Sequence, residues 1–289
     1  MEANELLKKV RQIEIKTRGL SRNIFAGQYH SAFKGRGMAF SEVREYQFGD
    51  DTRDIDWNVT ARYSKPYVKV FEEERELTVM LLIDVSGSKD FGTHGSLKKD
   101  LVTEIAATLA FSAIQNNDKI GVIFFSDKVE KFIPPQKGKK HILYIIRELI
   151  DFEPSDIQTN LSSVLQYLTN AIKKRCTAFV ISDFIDNNPY QHALVIANRK
   201  HDMVAIQVYD ERETEIPDVG LMKIKDAESN IEEWIDTSSP KVRKAYNQWW
   251  NKRQDEMHNS FKRSRVDSVS VRTDEDYVKA LINLFNKRS

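Results

Sequence analysis

Five oxygen-bearing side chains stand out by type and spacing. Asp84, Ser86 and Ser88 alternate in Asp-Val-Ser-Gly-Ser, immediately after the apolar run at residues 79–83. One carboxylate and two hydroxyls on a single tight loop can converge on one point, and Gly87 removes bulk between them. Thr159 lies in Ile-Gln-Thr-Asn-Leu (157–161), a polar loop directly ahead of an amphipathic segment, and Asp183 closes a second apolar run at 176–183. All five are hard oxygen donors with no imidazole or thiolate close in sequence. Such a set favours Mg²⁺, with Mn²⁺ or Ca²⁺ next, over zinc or copper. Taken singly, each residue has a plainer role: Asp84 and Asp183 as strand-end caps, Thr159 as a helix N-cap. Their arrival from three strand-end loops favours a common metal site.

Those loops need a scaffold. Residues 79–83 show no polar alternation, which predicts a strand buried on both faces. Residues 119–126 and 176–183 have the same character, and 203–209 and 266–271 supply two further strands. Between them the apolar positions shift to helical spacing, at 97–117, at 139–150, at 160–174 with Leu161, Val164, Leu165, Leu168 and Ile172 inward, at 189–199, and in a last helix carrying Tyr277, Val278, Leu281, Ile282 and Phe285. Strands alternating with helices of this length predict an α/β fold, a central and mostly parallel sheet covered on both sides. In open sheets of this kind ligands gather beyond the carboxyl ends of the strands. The five oxygen donors all fall there. Residues 128–133 predict an edge strand ended by Pro134-Pro135.

The domain proper is expected over 77–289, with a hairpin insertion around 211–237. Ahead of it, 1–76 is expected to hold a helix over 4–16, with Leu6, Leu7, Val10 and Ile13 on one side, and then a β-rich accessory region containing strands near 38–46 and 67–72. Residues 210–236 carry ten acids and three bases, whereas 241–265 carry eight bases and two acids on a helix whose inner face holds Val242, Tyr246, Trp249, Trp250, Met257 and Phe261. The simplest reading is mutual neutralisation. Over the whole chain 44 basic side chains balance 43 acidic ones, so no overall field draws in nucleic acid or an anionic membrane. A basic face here would suit an acidic protein surface, since no nucleic-acid motif accompanies it. The single cysteine, Cys176, excludes an internal disulfide and a thiolate cluster and reads as a small buried apolar group. With neither a signal peptide nor an apolar span of the required length, a cytoplasmic chain without membrane insertion is expected.

No Gly-x-Ser-x-Gly elbow surrounds Ser86, the six histidines form no His-Glu-x-x-His pair, and no phosphate-binding Gly-x-x-x-x-Gly-Lys loop occurs. The nearest rival is a Mg²⁺-dependent phosphatase similar to the haloacid dehalogenases, with Asp84 as nucleophile. Those enzymes carry Asp-x-Asp-x-Thr at this place, and Ser86 stands here where their second acid supplies proton transfer.

The order Asp-x-Ser-x-Ser, then threonine, then aspartate resembles the von Willebrand factor A fold with its metal-ion-dependent adhesion site. That resemblance assigns Asp84, Ser86 and Ser88 to the first metal loop, Thr159 to the second and Asp183 to the third. It implies a Rossmann-like three-layer fold and a Mg²⁺ ion whose open position is completed by a carboxylate of a partner protein, hence a non-enzymatic interaction module. Upstream, Gly35-Arg36-Gly37, Arg44-x-Tyr46, Gly49-Asp50-Asp51, Arg53, Ile55-Asp56-Trp57, Ala61-Arg62 and Val68-Lys69 resemble the signature of a bacterial family labelled domain of unknown function fifty-eight, over roughly residues 20–210. That family implies an adaptor working with a MoxR-type AAA+ ATPase on a client protein; any ATP would then be bound by the ATPase. The charged residues of the signature are expected to form a buried ion-pair network that fixes the accessory region, with Trp57 in its core.

Overall fold

The computed structural model describes residues 11, 13, 39–63, 65–72, 77–87, 91–92, 97–225 and 232–288. By internal contact the chain divides into one unit at Lys34–Leu77 and a second comprising Met1–Phe33 and Thr78–Ser289. Of the helix expected over 4–16, only Arg11 and Ile13 are among the described residues, and both are helical. Gly35-Arg36-Gly37 and Ser88 lie outside the described residues.

In the smaller unit, β1 (Ala39–Glu45) pairs antiparallel with β2 (Tyr67–Glu72), with Val43 opposite Lys69 and Glu45 opposite Tyr67. Between them lie a 3-10 turn at Thr52–Asp54 and α1 (Trp57–Tyr63). Asp51 accepts from the Arg53 N–H to open the turn, and Asp56 accepts from the Asn58 and Val59 N–H groups to open the helix. The Arg44 guanidinium holds Asp50 through two bonds of 2.8 Å, and Asp50 also accepts from the Gln47 N–H. Both Arg44 and these bonds keep the Asp50 carboxyl below the ordinary aspartate range. This ion pair is half-exposed rather than buried, and Trp57 is 70% exposed, which corrects the expectation of a buried network around a core tryptophan. Two strands and a seven-residue helix with no buried residue cannot enclose an indole.

The larger unit begins with β3 (Thr78–Asp84), α2 (Lys98–Gln115), β4 (Lys119–Phe125), β5 (Val129–Gln136), α3 (Lys139–Asp151) and α4 (Leu161–Ala171). It continues with β6 (Thr177–Ser182), α5 (Gln191–Lys200), β7 (Asp202–Tyr209), the one-turn α6 (Glu211–Thr214), the hairpin β8 (Leu221–Lys225) and β9 (Glu232–Asp236), α7 (Pro240–Ser264), β10 (Asp267–Arg272) and α8 (Tyr277–Arg288). Six strands form the sheet β10-β7-β6-β3-β4-β5, parallel throughout except for β5, which runs antiparallel to β4. Alternate residues of the apolar strands serve different helix layers. Met80, Leu82, Ile123, Phe125, Ala178, Val180, Met203 and Ala205 pack with α4, α5 and α7, and α2 covers the other face together with α3 and α8. That double burial is why these strands read as unbroken apolar runs.

At the sheet margin the chain departs from expectation. β5 does not stop before Pro134-Pro135 but continues through both to Gln136. An edge strand allows this, because its outward side has no ladder to complete. The approach is close: a Cβ on Gly121 of β4 would lie 2.8 Å from Pro135 N, 2.9 Å from Ile133 O and 2.9 Å from Met80 Sδ. Gly121→Ala should therefore destabilise the fold by about 1–3 kcal/mol, since two of those atoms are backbone and cannot rotate away. Urea unfolding would read this as a lower midpoint at unchanged slope, and an unchanged midpoint would refute it.

α7 buries Trp250, Met257 and Phe261, but Trp249 is 42% exposed, stacked near Tyr246 and beneath the Arg253 guanidinium. Neighbours on a helix point about 100° apart, so both tryptophans cannot face the sheet. Arg243 joins Asp218 at 2.9 Å, one direct link between the basic helix and the acidic segment before it. At the other end of the domain, Arg288 of α8 binds Asp202 at 2.5 and 2.6 Å and Asp267 at 2.6 Å, the first residues of β7 and β10. Among the described residues no helix is long and apolar enough to cross a membrane.

Candidate metal centre

β3 is the middle of the sheet's switch point: β4, next in sequence, lies on one side and β6 on the other. Crevices at such points open between the carboxyl ends of the strands. Asp84, the last residue of β3, is delivered there. One of its oxygens accepts from the Ser86 N–H at 3.0 Å, and the other accepts from the Ser182 hydroxyl at 2.6 Å, at the end of β6. Ser182 Oγ itself accepts from the N–H of Phe184, a residue held at φ +58°. Ser86 is buried beside Asp84.

Backbone ties hold the three loops in register. Gly87 N–H donates to Ile157 O at 3.0 Å, fixing the first loop to the second, and Leu161 N–H donates to the Asp186 carboxylate at 2.8 Å, fixing the second to the third. The N-cap of α4 is Asn160, whose side chain accepts from Ser163 N–H at 3.0 Å. Thr159 is thereby free of the capping role that was its plainer alternative. Its side chain is 4% exposed, and its hydroxyl oxygen has no hydrogen-bond partner among the described residues. A buried hydroxyl left so costs about 1–3 kcal/mol.

Asp183 follows β6 directly. One oxygen accepts from the Ile185 N–H at 3.1 Å, which is the strand-end cap, and the other accepts from Lys98 Nζ at 2.8 Å. Lys98 opens α2 and also donates to Glu213 of α6 at 2.7 Å. Neither Lys98 nor Glu213 was found from sequence. Lys98-Lys99 reads as the solvated start of a helix, and the partners lie 85 and 115 residues away.

The charges at this edge are under strain. Burial, and then repulsion from Asp183, push the Asp84 carboxyl up to about 6, against the pull of the bonds from Ser182 and Ser86. Burial raises Glu213 too, although Lys98 opposes it. Burial alone would lower Lys98, but the carboxylates of Asp183 and Glu213 more than reverse that, so it stays protonated. Asp84 and Asp183 lie close enough to repel each other, while Lys98 is shared between Asp183 and Glu213. A buried hydroxyl without a partner and two crowded carboxylates fit a hard divalent cation. Asp84, Ser86, Thr159 and Asp183 come from one edge of the sheet.

The class follows from the scaffold: a three-layer α/β fold with a central, mostly parallel sheet covered by helices on both faces. The chain belongs to the family described as Protein of unknown function DUF58, which it matches over residues 42–256, a span shifted toward the carboxyl end from the expected 20–210 that leaves Gly35-Arg36-Gly37 outside. An uncharacterized protein of Mycobacterium tuberculosis, Rv1480, is 27% identical over 286 residues, covering 98% of this chain and 90% of that one. The uncharacterized protein YeaD of Bacillus subtilis is 29% identical over 122 residues, covering 42% of this chain and 27% of that one. Among solved structures, an aerotolerance-related membrane protein from Bacteroides fragilis superposes with a TM-score of 0.51 at 15% identity, covering 73% of this chain and 99% of that one. The last likeness is one of fold.

Proposed function

We propose that this chain is a non-enzymatic protein-interaction module that grips its partner through a divalent metal ion. Asp84, Ser86, Ser88, Thr159 and Asp183 would hold Mg²⁺, or Mn²⁺ or Ca²⁺ in its place. The observation that carries the reading is the buried Thr159 hydroxyl without a partner, on a loop tied to the one that bears Asp84. When bound, the ion supplies a Lewis-acidic contact point for an anionic group. The chain's own part is to present few charged ligands: hydroxyls with at most two carboxylates leave a divalent ion with affinity for one more anion. A carboxylate on a partner protein meets that need.

Catalysis fits less well. Both oxygens of Asp84 are engaged by donors from within the chain, which suits a fixed ligand, and Ser86 cannot perform the proton transfer a phosphoaspartate enzyme requires. The family resemblance supplies the wider role, an adaptor of a MoxR-type AAA+ ATPase acting on a client protein, and the balanced charge of the chain favours a protein partner over nucleic acid.

Affinity purification from native cells, run in Mg²⁺ and in EDTA, tests the reading. Recovery of the bound ATPase or client should fall at least tenfold in EDTA and with either Asp84→Ala or Asp183→Ala, while circular dichroism stays that of the folded chain. Capture indifferent to EDTA and to both substitutions would sink the proposal.

A further inference from the structure

The metal reading does not use Lys98, and it is built in with care. Its side chain is 4% exposed, its Nζ lies 2.8 Å from Asp183 and 2.7 Å from Glu213, and its backbone N–H is anchored to Phe91 O at 2.9 Å. Glu213 is fixed in turn. Its second oxygen accepts from the Asp210 N–H at 2.8 Å in a reciprocal cap of α6, and Asp210 accepts from the Thr273 hydroxyl at 2.6 Å. The ammonium thus has a second, rigidly held acceptor besides Asp183. Stability alone explains this triad poorly, because buried ion pairs are often no more stabilising than apolar residues of similar volume.

Resting on the metal reading above, we infer that Lys98 is a resident counter-cation that competes with the metal ion for Asp183, and that Glu213, by sharing the ammonium, sets how strongly it competes. With Ile185 N–H on one oxygen of Asp183 and Lys98 on the other, neither oxygen offers the ion its full electron density. The site therefore binds its metal more loosely than the same oxygens would without Lys98. The ion that does bind keeps more of its charge for an external anion. Glu213 takes a share of the ammonium's charge and relieves part of that competition.

The two neighbours should act with opposite sign. Lys98→Met removes a positive charge from a dry site and should tighten Mn²⁺ binding by roughly tenfold or more. Glu213→Gln removes the second negative charge that holds the ammonium, so Asp183 takes the larger share of it, and should weaken Mn²⁺ binding by roughly three- to tenfold, by the same Coulombic reasoning. The measurement is calorimetric titration of the full chain with Mn²⁺, with Asp84→Ala as the variant that loses the site, alongside thermal melting in EDTA and in Mn²⁺. Lys98→Met is expected to melt lower than wild type in EDTA and to gain more degrees from Mn²⁺. If Lys98→Met does not fold, weakened binding in Glu213→Gln decides the matter by itself.

The outcomes separate the two claims. Mn²⁺ uptake that Asp84→Ala abolishes but that both neighbours leave unchanged would keep the metal site and overturn the role of Lys98. A shift of both variants in the same direction would overturn it as well. No uptake by wild type, unrestored by Lys98→Met, would overturn both.

Discussion

Asp84→Asn should stabilise the protein in EDTA and erase its response to Mg²⁺. At neutral pH Asp84 must ionise against burial and against the charge of Asp183, which together hold its carboxyl at about 6. Removing that ionisation is worth on the order of 2–3 kcal/mol, since each pKa unit is about 1.4 kcal/mol. Asparagine fits the same bonds: its oxygen can accept from the Ser86 N–H, and its amide can donate to Ser182 Oγ, whose proton is then free to turn away. Allowing about 1 kcal/mol for weaker hydrogen bonds, the gain is about 1–2 kcal/mol, or roughly 2–8 °C in a domain of this size. Wild type has the larger response to metal. At a hundredfold excess over its dissociation constant an ion that binds only the folded state adds about 2.7 kcal/mol. Melting curves of the two proteins in EDTA and in Mg²⁺ would therefore change order between conditions. A variant less stable than wild type in EDTA, or one that Mg²⁺ still stabilises, would contradict the assignment of Asp84.

Acid should weaken the fold through a different group, far from that edge. His201, fully buried at the end of α5, has Nδ1 3.2 Å from Cys176 Sγ and 3.4 Å from Cys176 N, and its Nε2 has no partner among the described residues. Burial first, and then the charges of Lys200 and Arg175, lower its pKa to about 4. The unfolded chain, with an ordinary histidine near 6.5, takes up the proton before the folded one does. The stability due to neutral His201 is thus complete above pH 6.5, falls as the pH drops, and is exhausted below 4, a loss of up to about 3 kcal/mol. Cys176 adds nothing in this window, because burial pushes its thiol up to about 12. Urea unfolding of wild type and His201→Met between pH 7 and pH 4 isolates the effect as the difference between the two. Parallel pH profiles would disprove it.

The fold was legible because its signals are local. Residues 79–83 are apolar without alternation since odd and even positions pack against different helix layers, and that fact alone implies a sheet covered twice. The candidate site was legible for a related reason, because strand-end loops in such a sheet must share one edge. What sequence concealed was pairing across distance. Lys98 meets Asp183 and Glu213 only after β6 and β7 are laid beside β3, and no spacing rule links residues so far apart. Pro134-Pro135 reads as a stop in sequence because a proline's effect depends on whether its strand is internal or at the edge, which spacing does not reveal. Trp57 and Trp249 read as core residues on hydrophobicity, although a large aromatic goes inside only where enough layers surround it.

The clamp of Arg288 on Asp202 and Asp267 has a practical corollary. Both acids stand at the amino ends of parallel strands, whereas Asp84 and Asp183 stand at the carboxyl ends. Anything tethered beyond α8 therefore leaves the domain from the pole opposite Asp84 and Asp183. A chain immobilised by a carboxyl-terminal tag would present the edge that bears those two acids to solution.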